Sequence, residues 1–162
     1  MFMTIKGSSF YNTPEGIINT KIAVESNIKL NDELIRKYAN YRVGLIMGFG
    51  DGWMVEYFKN KFLRLIVVEG SKSLFDSTIR KYRDYPHIKY YHSYFELFKL
   101  PKKDRVDIVL GNHVLEHVDN PVEVLVKSKS WLKDTGYGIF SVPNANSLHR
   151  KIGVKMKMLK TK

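Results

Sequence analysis

The sequence contains no cysteine. That excludes a disulfide scaffold, a thiolate metal site and a cysteine nucleophile. It has no apolar run of about eighteen residues, so no membrane-spanning helix is expected. Met1 to Phe10 lack a basic stretch followed by a long apolar one, so a secretory signal is not read there and a cytoplasmic location is expected. Acid is scarce beside base: 16 Asp and Glu against 27 Lys and Arg, a net charge of +11. That scarcity is local. Arg150, Lys151, Lys155, Lys157, Lys160 and Lys162 crowd the last thirteen residues, which hold no acid. A solvated terminus is the plain account of this tail; an anionic ligand, a membrane surface or nucleic acid is the alternative.

What is present suits one folded domain. Hydrophobic residues make up 44% of the 162 and aromatics 13%, enough for a core. No internal repeat or low-complexity segment occurs. Residues 1–30 carry turn signals (Gly7-Ser8-Ser9, Asn12-Thr13-Pro14, Asn27), and Asn31-Asp32 reads as the cap of a helix carrying Glu33, Leu34, Ile35, Tyr38 and Ala39. From there strands and helices alternate. Val43–Met47, Leu65–Val68, Ile88–Tyr91, Val106–Leu110 and Tyr137–Val142 read as five strands. Helical spacing separates them: Val55, Phe58 and Phe62; then Leu74, Phe75, Ile79 and Tyr82; then a helix opened by Asn120-Pro121, with Val122, Leu125, Val126 and Leu132 inward and Gly136 as its stop. Such alternation predicts parallel βαβ units, hence an α/β three-layer sandwich with a Rossmann-like, doubly wound, mostly parallel sheet.

The chemistry concentrates after the first strand. Gly48-Phe49-Gly50-Asp51-Gly52 joins strand to helix, and glycines there let the backbone approach a ligand closely beside unpaired N–H groups of the helix start. Glu69 ends the second strand, where an acid can accept the hydroxyls of a ribose. The spacing departs from the dinucleotide pattern Gly-x-Gly-x-x-Gly, since the third glycine comes one residue early. His113-Val114-Leu115-Glu116-His117 spells a zinc-peptidase pattern on paper, but it follows a buried strand and precedes Asp119-Asn120-Pro121. That connection cannot set two histidines on one helix face, so a peptidase is discarded.

These segments taken in order resemble the class I S-adenosylmethionine-dependent methyltransferases. The resemblance rests on the Gly-x-Gly-x-Gly loop, Val67-Val68-Glu69-Gly70-Ser71, Val114-Leu115-Glu116-His117-Val118, and Leu132-Lys133-Asp134-Thr135-Gly136 followed by Val142-Pro143-Asn144. It covers roughly residues 40–150. Leu115-Glu116-His117-Val118 is similar to the branch containing ubiquinone O-methyltransferases and bacterial sugar and natural-product methyltransferases. It implies S-adenosylmethionine as cofactor, held by Gly48, Phe49, Gly50, Asp51, Gly52, Glu69, Gly70, Ser71, Ser93, Tyr94 and Asn112. It implies His117, and after it His113, as the group that takes a proton from the acceptor. A purely orienting role for Glu116 and His117 is the alternative, and no metal is expected beyond a weak Glu116–His117 site. Two positions depart from the family. Ile46 stands where an acid usually precedes the loop, and His92-Ser93-Tyr94 lacks the acid usual after the third strand.

The implied domain spans residues 41–149, with a helical or irregular segment over 1–40 and the basic tail over 150–162. The family's last antiparallel hairpin is missing, leaving the fifth strand as an edge open to a homo-oligomer or to the tail with Ile152, Val154, Met156, Met158 and Leu159. The acceptor is expected to be a small molecule methylated on O or N, of glycan, quinone or natural-product type. An RNA-binding or RNA-methylating module, or a catalytically inactive scaffold, is the alternative. Against nucleic acid, Gly111-Asn112-His113-Val114 stands where RNA-modifying relatives carry Asn/Asp-Pro-Pro-aromatic.

Overall fold

A computed structural model describes residues 14–50, 52–144 and 155, with the side chains of residues 14–20 not included. Its elements run α1 (Pro14–Tyr38), β1 (Val43–Met47), α2 (Trp53–Phe58), β2 (Arg64–Glu69), α3 (Lys72–Tyr82), β3 (Ile88–His92), β4 (Val106–Asn112), α4 (Pro121–Trp131) and β5 (Leu132–Ser141). The strands form one sheet in the order β3-β2-β1-β4-β5, and every pairing is parallel. The chain winds outward from β1 through β2 to β3, then returns to β1's other side for β4. The carboxyl ends of β1 and β4 are therefore the point where strand order reverses, the usual ligand crevice of an open α/β sheet.

Alternation along each strand divides the core in two. Ile46, Val67, Ile108 and Leu110 face Ile28 and Ile35 of α1, Val55 and Phe58 of α2, and Tyr82 of α3. Leu45, Met47, Ile66, Val68 and Val109 face Val124 and Trp131 of α4. Burial on both faces is why β1, β2 and β4 read as unbroken apolar runs. Phe62 is buried from the turn after α2, whereas the spacing had assigned it to that helix.

Four further expectations are corrected. Asn27, Asn31 and Asp32 lie inside α1, which starts at Pro14 instead of at an Asn-Asp cap. A local cap is worth only about 1 kcal/mol, and tertiary partners outweigh it here. Asp32 Oδ1 accepts from Tyr41 Oη and Lys61 Nζ, each at 2.6 Å, and Arg36 pairs with Oδ2 at 2.7 Å.

On α4, the buried residues are Val124, Ser128 and Trp131, while Val122, Leu125 and Val126 are exposed. The obvious valine–leucine stripe therefore faces outward. The inward stripe is disguised by Ser128, whose hydroxyl is satisfied by the Leu125 carbonyl at 2.8 Å. Asn120 does cap the helix, accepting from the Glu123 amide at 3.1 Å. Gly136 does not stop it: the chain turns extended at Leu132, and Gly136 lies within β5. Lys133 reaches both Asp107 oxygens at 2.9 Å, beside the register shift between Val106 and Ile108.

On α3, Thr78 and Tyr82 carry the burial, with Phe75 and Ile79 half-buried and Leu74 exposed. The expectations placed on Asp51, on residues 1–13 and on the tail lie outside the described residues, apart from the exposed Lys155.

Candidate active site

The loop after β1 turns on positive φ at each of its glycines: +73° at Gly48, +50° at Gly50 and +81° at Gly52. A side chain at Gly52 would place its Cβ 2.9 Å from the Phe49 ring, whereas one at Gly50 would meet nothing within 4 Å. Gly50 thus marks the open side of the loop, where a ligand can lie against bare backbone. The Phe49 ring is buried, packing edge-on to Tyr82 at 6.0 Å. Its amide donates to Glu69 and its carbonyl accepts from Gly52, so Phe49 serves the loop through both backbone groups.

Glu69 sits at the end of β2 and is 8% exposed. One carboxylate oxygen accepts from the Phe49 amide and the other from the Ser71 amide, each at 2.7 Å. The residue expected to receive a ribose also ties the loop to the sheet. Each oxygen keeps a second lone pair for a ligand hydroxyl. Gly70 lies under the Tyr94 ring, which would stand 3.1 Å from a Cβ there, and Tyr94 is largely exposed. His92 Nε2 lies 3.1 Å from the Gly70 carbonyl and its ring is 5.2 Å from that of Phe75. The Ser93 amide donates to the Glu69 carbonyl at 3.0 Å, and its hydroxyl to the Tyr94 carbonyl. Glu69, Gly70, Ser71, Ser93 and Tyr94 therefore form one rim beside the glycine loop. An exposed ring over a bare glycine backbone there offers a flat surface for a base.

The family model described as "Methyltransferase domain" matches residues 45–140. That is more than half of the chain, and it takes in the loop, Glu69 and the segment after β4. The chain belongs to the methyltransferase-domain family.

Among curated proteins it is 25% identical over 104 residues to a malonyl-[acyl-carrier protein] O-methyltransferase of Halalkalibacterium halodurans, covering 62% of this chain and 38% of that protein. Among solved structures it is similar to the N-methyltransferase NodS of Bradyrhizobium japonicum in complex with S-adenosylhomocysteine. The TM-score is 0.61 at 16% identity, over 72% of this chain and 59% of that one. A phosphoethanolamine N-methyltransferase of Haemonchus contortus, with phosphoethanolamine and S-adenosylhomocysteine, matches with a TM-score of 0.56 at 17% identity, over 64% and 22% of the two chains. At such identities the likeness shows the Rossmann-like methyltransferase fold. The chain spans less than two thirds of the length of these relatives.

Within this methyltransferase domain, Ile46 is 1% exposed, among Val55, Leu110 and other core residues. The position that usually carries an acid here supplies packing alone. After β4 the chain makes a short 3-10 turn, Leu115–His117. His117 is exposed on it, and its ring makes no hydrogen bond among the described residues. His113 is half-buried instead, with Nδ1 3.2 Å from Glu116 Oε1 and Nε2 2.9 Å from Asn27 Nδ2. Of the two, His113 is the one that α1 approaches, a contact that sequence reasoning could not see. Among the described residues, no group of three or more His, Asp or Glu is placed to hold a metal ion, so His113, Glu116 and His117 do not assemble as one.

Asn112, expected among the cofactor contacts, points toward Met54, its Nδ2 3.4 Å from the sulfur. Asn27 and Ser141, which sequence reasoning left aside, lie beside His113: Asn27 Nδ2 is 2.9 Å from Nε2 of its ring, and the Ser141 carbonyl accepts from its amide. The first reads in sequence as a turn signal and the second as an ordinary strand serine.

The Asp32 cluster fastens α1 to Tyr41 and Lys61, which precede β1 and β2 at the amino ends of the strands. Burial alone would raise the Asp32 carboxyl, but the hydrogen bonds from Lys61 and Tyr41 and the charges of Lys61 and Arg36 outweigh it and keep it below the usual range. Burial likewise opposes the charge on Lys61, yet its contact with Asp32 raises it above its ordinary value. No helix among the described residues is long and apolar enough to cross a membrane.

Proposed function

We propose that the protein transfers the methyl group of S-adenosylmethionine to an oxygen or nitrogen of a small acceptor of glycan, quinone or natural-product type. The observation that carries this reading is the glycine loop braced by Glu69 at the strand-order reversal, with Gly50 open to solvent. Gly48, Gly50 and Gly52 supply bare backbone, Glu69 supplies acceptors for ribose hydroxyls, and Tyr94 over Gly70 supplies a stacking face. S-adenosylmethionine, when bound, supplies a methyl on a sulfonium, which is electrophilic without further activation. The protein's part is chiefly alignment of that methyl with the acceptor atom and exclusion of water. The relatives, O- and N-methyltransferases among them, support the reaction class and leave the acceptor open.

Calorimetry with S-adenosylhomocysteine tests the reading. Saturable binding is expected, and folded protein that takes up none at millimolar ligand overturns it. The competing RNA reading predicts saturable RNA retention at about 150 mM salt, where purely electrostatic binding is much weakened.

We further propose self-association of this chain through β5. Its outer edge is unpaired among the described residues, and exposed strand edges pair readily. Tyr137 is exposed on this strand, beside a concavity of about 300 Å³ lined by Leu34, Tyr38, Ile139 and Phe140.

A further inference from the structure

Beneath α1, at the carboxyl ends of β4 and β5, lies a group of polar side chains that neither the core nor the glycine loop uses. Asn27 and Asn31 stand one turn apart on α1, so they share a face. Asn31 is 2% exposed. The Nδ2 groups of Asn31 and Asn112 approach the Met54 sulfur at 3.9 and 3.4 Å. Asn112 is in register with Ser141, and the His113 amide donates to the Ser141 carbonyl at 2.9 Å. Two buried atoms here, Asn112 Oδ1 and Ser141 Oγ, have no hydrogen-bond partner among the described residues. Buried polar atoms without partners are rare because leaving them so is unfavourable. Two of them on paired positions at the ligand end of the sheet mark hydrogen bonds that a ligand completes.

The tautomer of His113 follows from its neighbours. A carboxylate only accepts, so the 3.2 Å contact with Glu116 places the ring proton on Nδ1. Nε2 then keeps its lone pair, and the Asn27 amide donates to it at 2.9 Å. His113 is also the sole non-glycine residue with positive φ among those described, at +52°. Such a conformation persists only where the surroundings impose it, and such residues cluster at functional sites. An imidazole with Nδ1–H on a carboxylate and a lone pair on Nε2 is an oriented general base.

We propose that His113 Nε2 receives the proton of the methyl acceptor, that Glu116 is its positioning residue, and that the Asn27 amide occupies the place of the acceptor's O–H or N–H. This rests on the S-adenosylmethionine reading above. In the transfer, a lone pair on the acceptor atom forms the new bond to carbon as the carbon–sulfur bond breaks, and that bonding pair stays on sulfur as a thioether. The acceptor's proton passes to Nε2, where Glu116 stabilises the imidazolium until water takes the proton. A neighbouring hydroxyl or amine on the acceptor donates to Asn112 Oδ1 or Ser141 Oγ. This favours alcohols and amines with adjacent donor groups. A carboxylate acceptor brings neither the proton nor the donor.

The test uses the whole chain. Nitrogen-15 NMR of histidine-labelled protein is expected to show His113 protonated at Nδ1 and not at Nε2 at neutral pH, and Glu116→Ala to lose that preference. Diethyl pyrocarbonate attacks unprotonated imidazole nitrogen. Asn27→Ala should therefore speed modification of His113 severalfold, with His117 as the internal reference in mass spectrometry. Ser141→Ala should leave Tm unchanged or raise it, because the hydroxyl it removes has no partner. A proton on Nε2 in the wild type, or a labelling rate unmoved by Asn27→Ala, overturns the assignment of the base. A marked fall in Tm for Ser141→Ala overturns the ligand role of the orphan pair. S-adenosylhomocysteine calorimetry on the wild type separates this from the cofactor reading: absent binding defeats that reading, while the tautomer and labelling results judge His113 on their own.

Discussion

The Phe49 amide donates to Glu69 across 2.7 Å, joining the loop after β1 to the end of β2. A second 2.7 Å bond, from the Ser71 amide to the other carboxylate oxygen, fixes Glu69 from behind. One carboxylate thus shapes the loop and still faces the space where a ribose would lie. Cofactor affinity and loop integrity are coupled through it.

Glu69→Ala is therefore expected to act twice. A hydrogen bond to a charged group is worth about 1.5–3 kcal/mol, so S-adenosylhomocysteine should bind roughly tenfold or more weakly. Thermal stability should fall as well, because the buried Phe49 amide and the partly buried Ser71 amide lose their acceptor. Unchanged stability with weakened binding would show that Glu69 serves the ligand alone, and affinity within twofold of wild type would remove it from the site.

Gly50 and Gly52 should respond differently to alanine. A left-handed backbone costs a residue with a Cβ about 1–2 kcal/mol, and both positions pay that. Gly52→Ala adds a clash with the Phe49 ring at 2.9 Å, so it should be the less stable variant in urea unfolding. Gly50→Ala has free space around it in the protein. It should lose more affinity for S-adenosylhomocysteine than its modest loss of stability explains.

Asp32→Asn should loosen α1 in a pH-dependent way. The folded carboxyl is held below its ordinary value by Lys61, Tyr41 and Arg36 against the cost of burial. A depressed carboxylate contributes stability above the unfolded value of about 3.9 and loses it as pH falls through the folded value. Wild type and variant should thus differ by about 2 kcal/mol near pH 6, and the gap should close as the pH drops below about 4. Denaturant titrations across that range measure it. A gap independent of pH would show that the charge of Asp32 is not what matters.

Self-association through β5 should appear in light scattering during size exclusion. A dimer is expected, and Tyr137→Lys should return it to monomer, since a charge at this exposed position of an edge strand opposes pairing between copies. A strictly monomeric wild-type chain would set this proposal aside.

Much of the architecture was legible because it depends on short-range pattern. Apolar runs buried on both faces identified β1, β2 and β4, and Asn120-Pro121 identified the start of α4. The glycine loop and Glu69 were legible for a related reason: positive φ and a carboxylate at a strand end leave few substitutes. The faces of the helices were less so. Val122, Leu125 and Val126 look like an inward stripe, yet Ser128 and Trp131 take that role, because the facing sheet accepts a serine that bonds its own helix and needs the volume of an indole.

By itself, then, the sequence determined the alternation of strands and helices, the parallel sheet that such alternation enforces, and the loop at its reversal point. These follow from periodicity and backbone sterics, which act over a few residues. Tertiary structure decided what depends on contacts between residues far apart in the chain. Asn27 meets His113 across 86 positions, Asp32 meets Lys61 across 29, and Asn112 lines up with Ser141 only through the β4–β5 register. The free energy of burial and pairing at those contacts exceeds the local preferences of Asn, Asp and His. It carried α1 over the sheet end and brought Asn27 against His113.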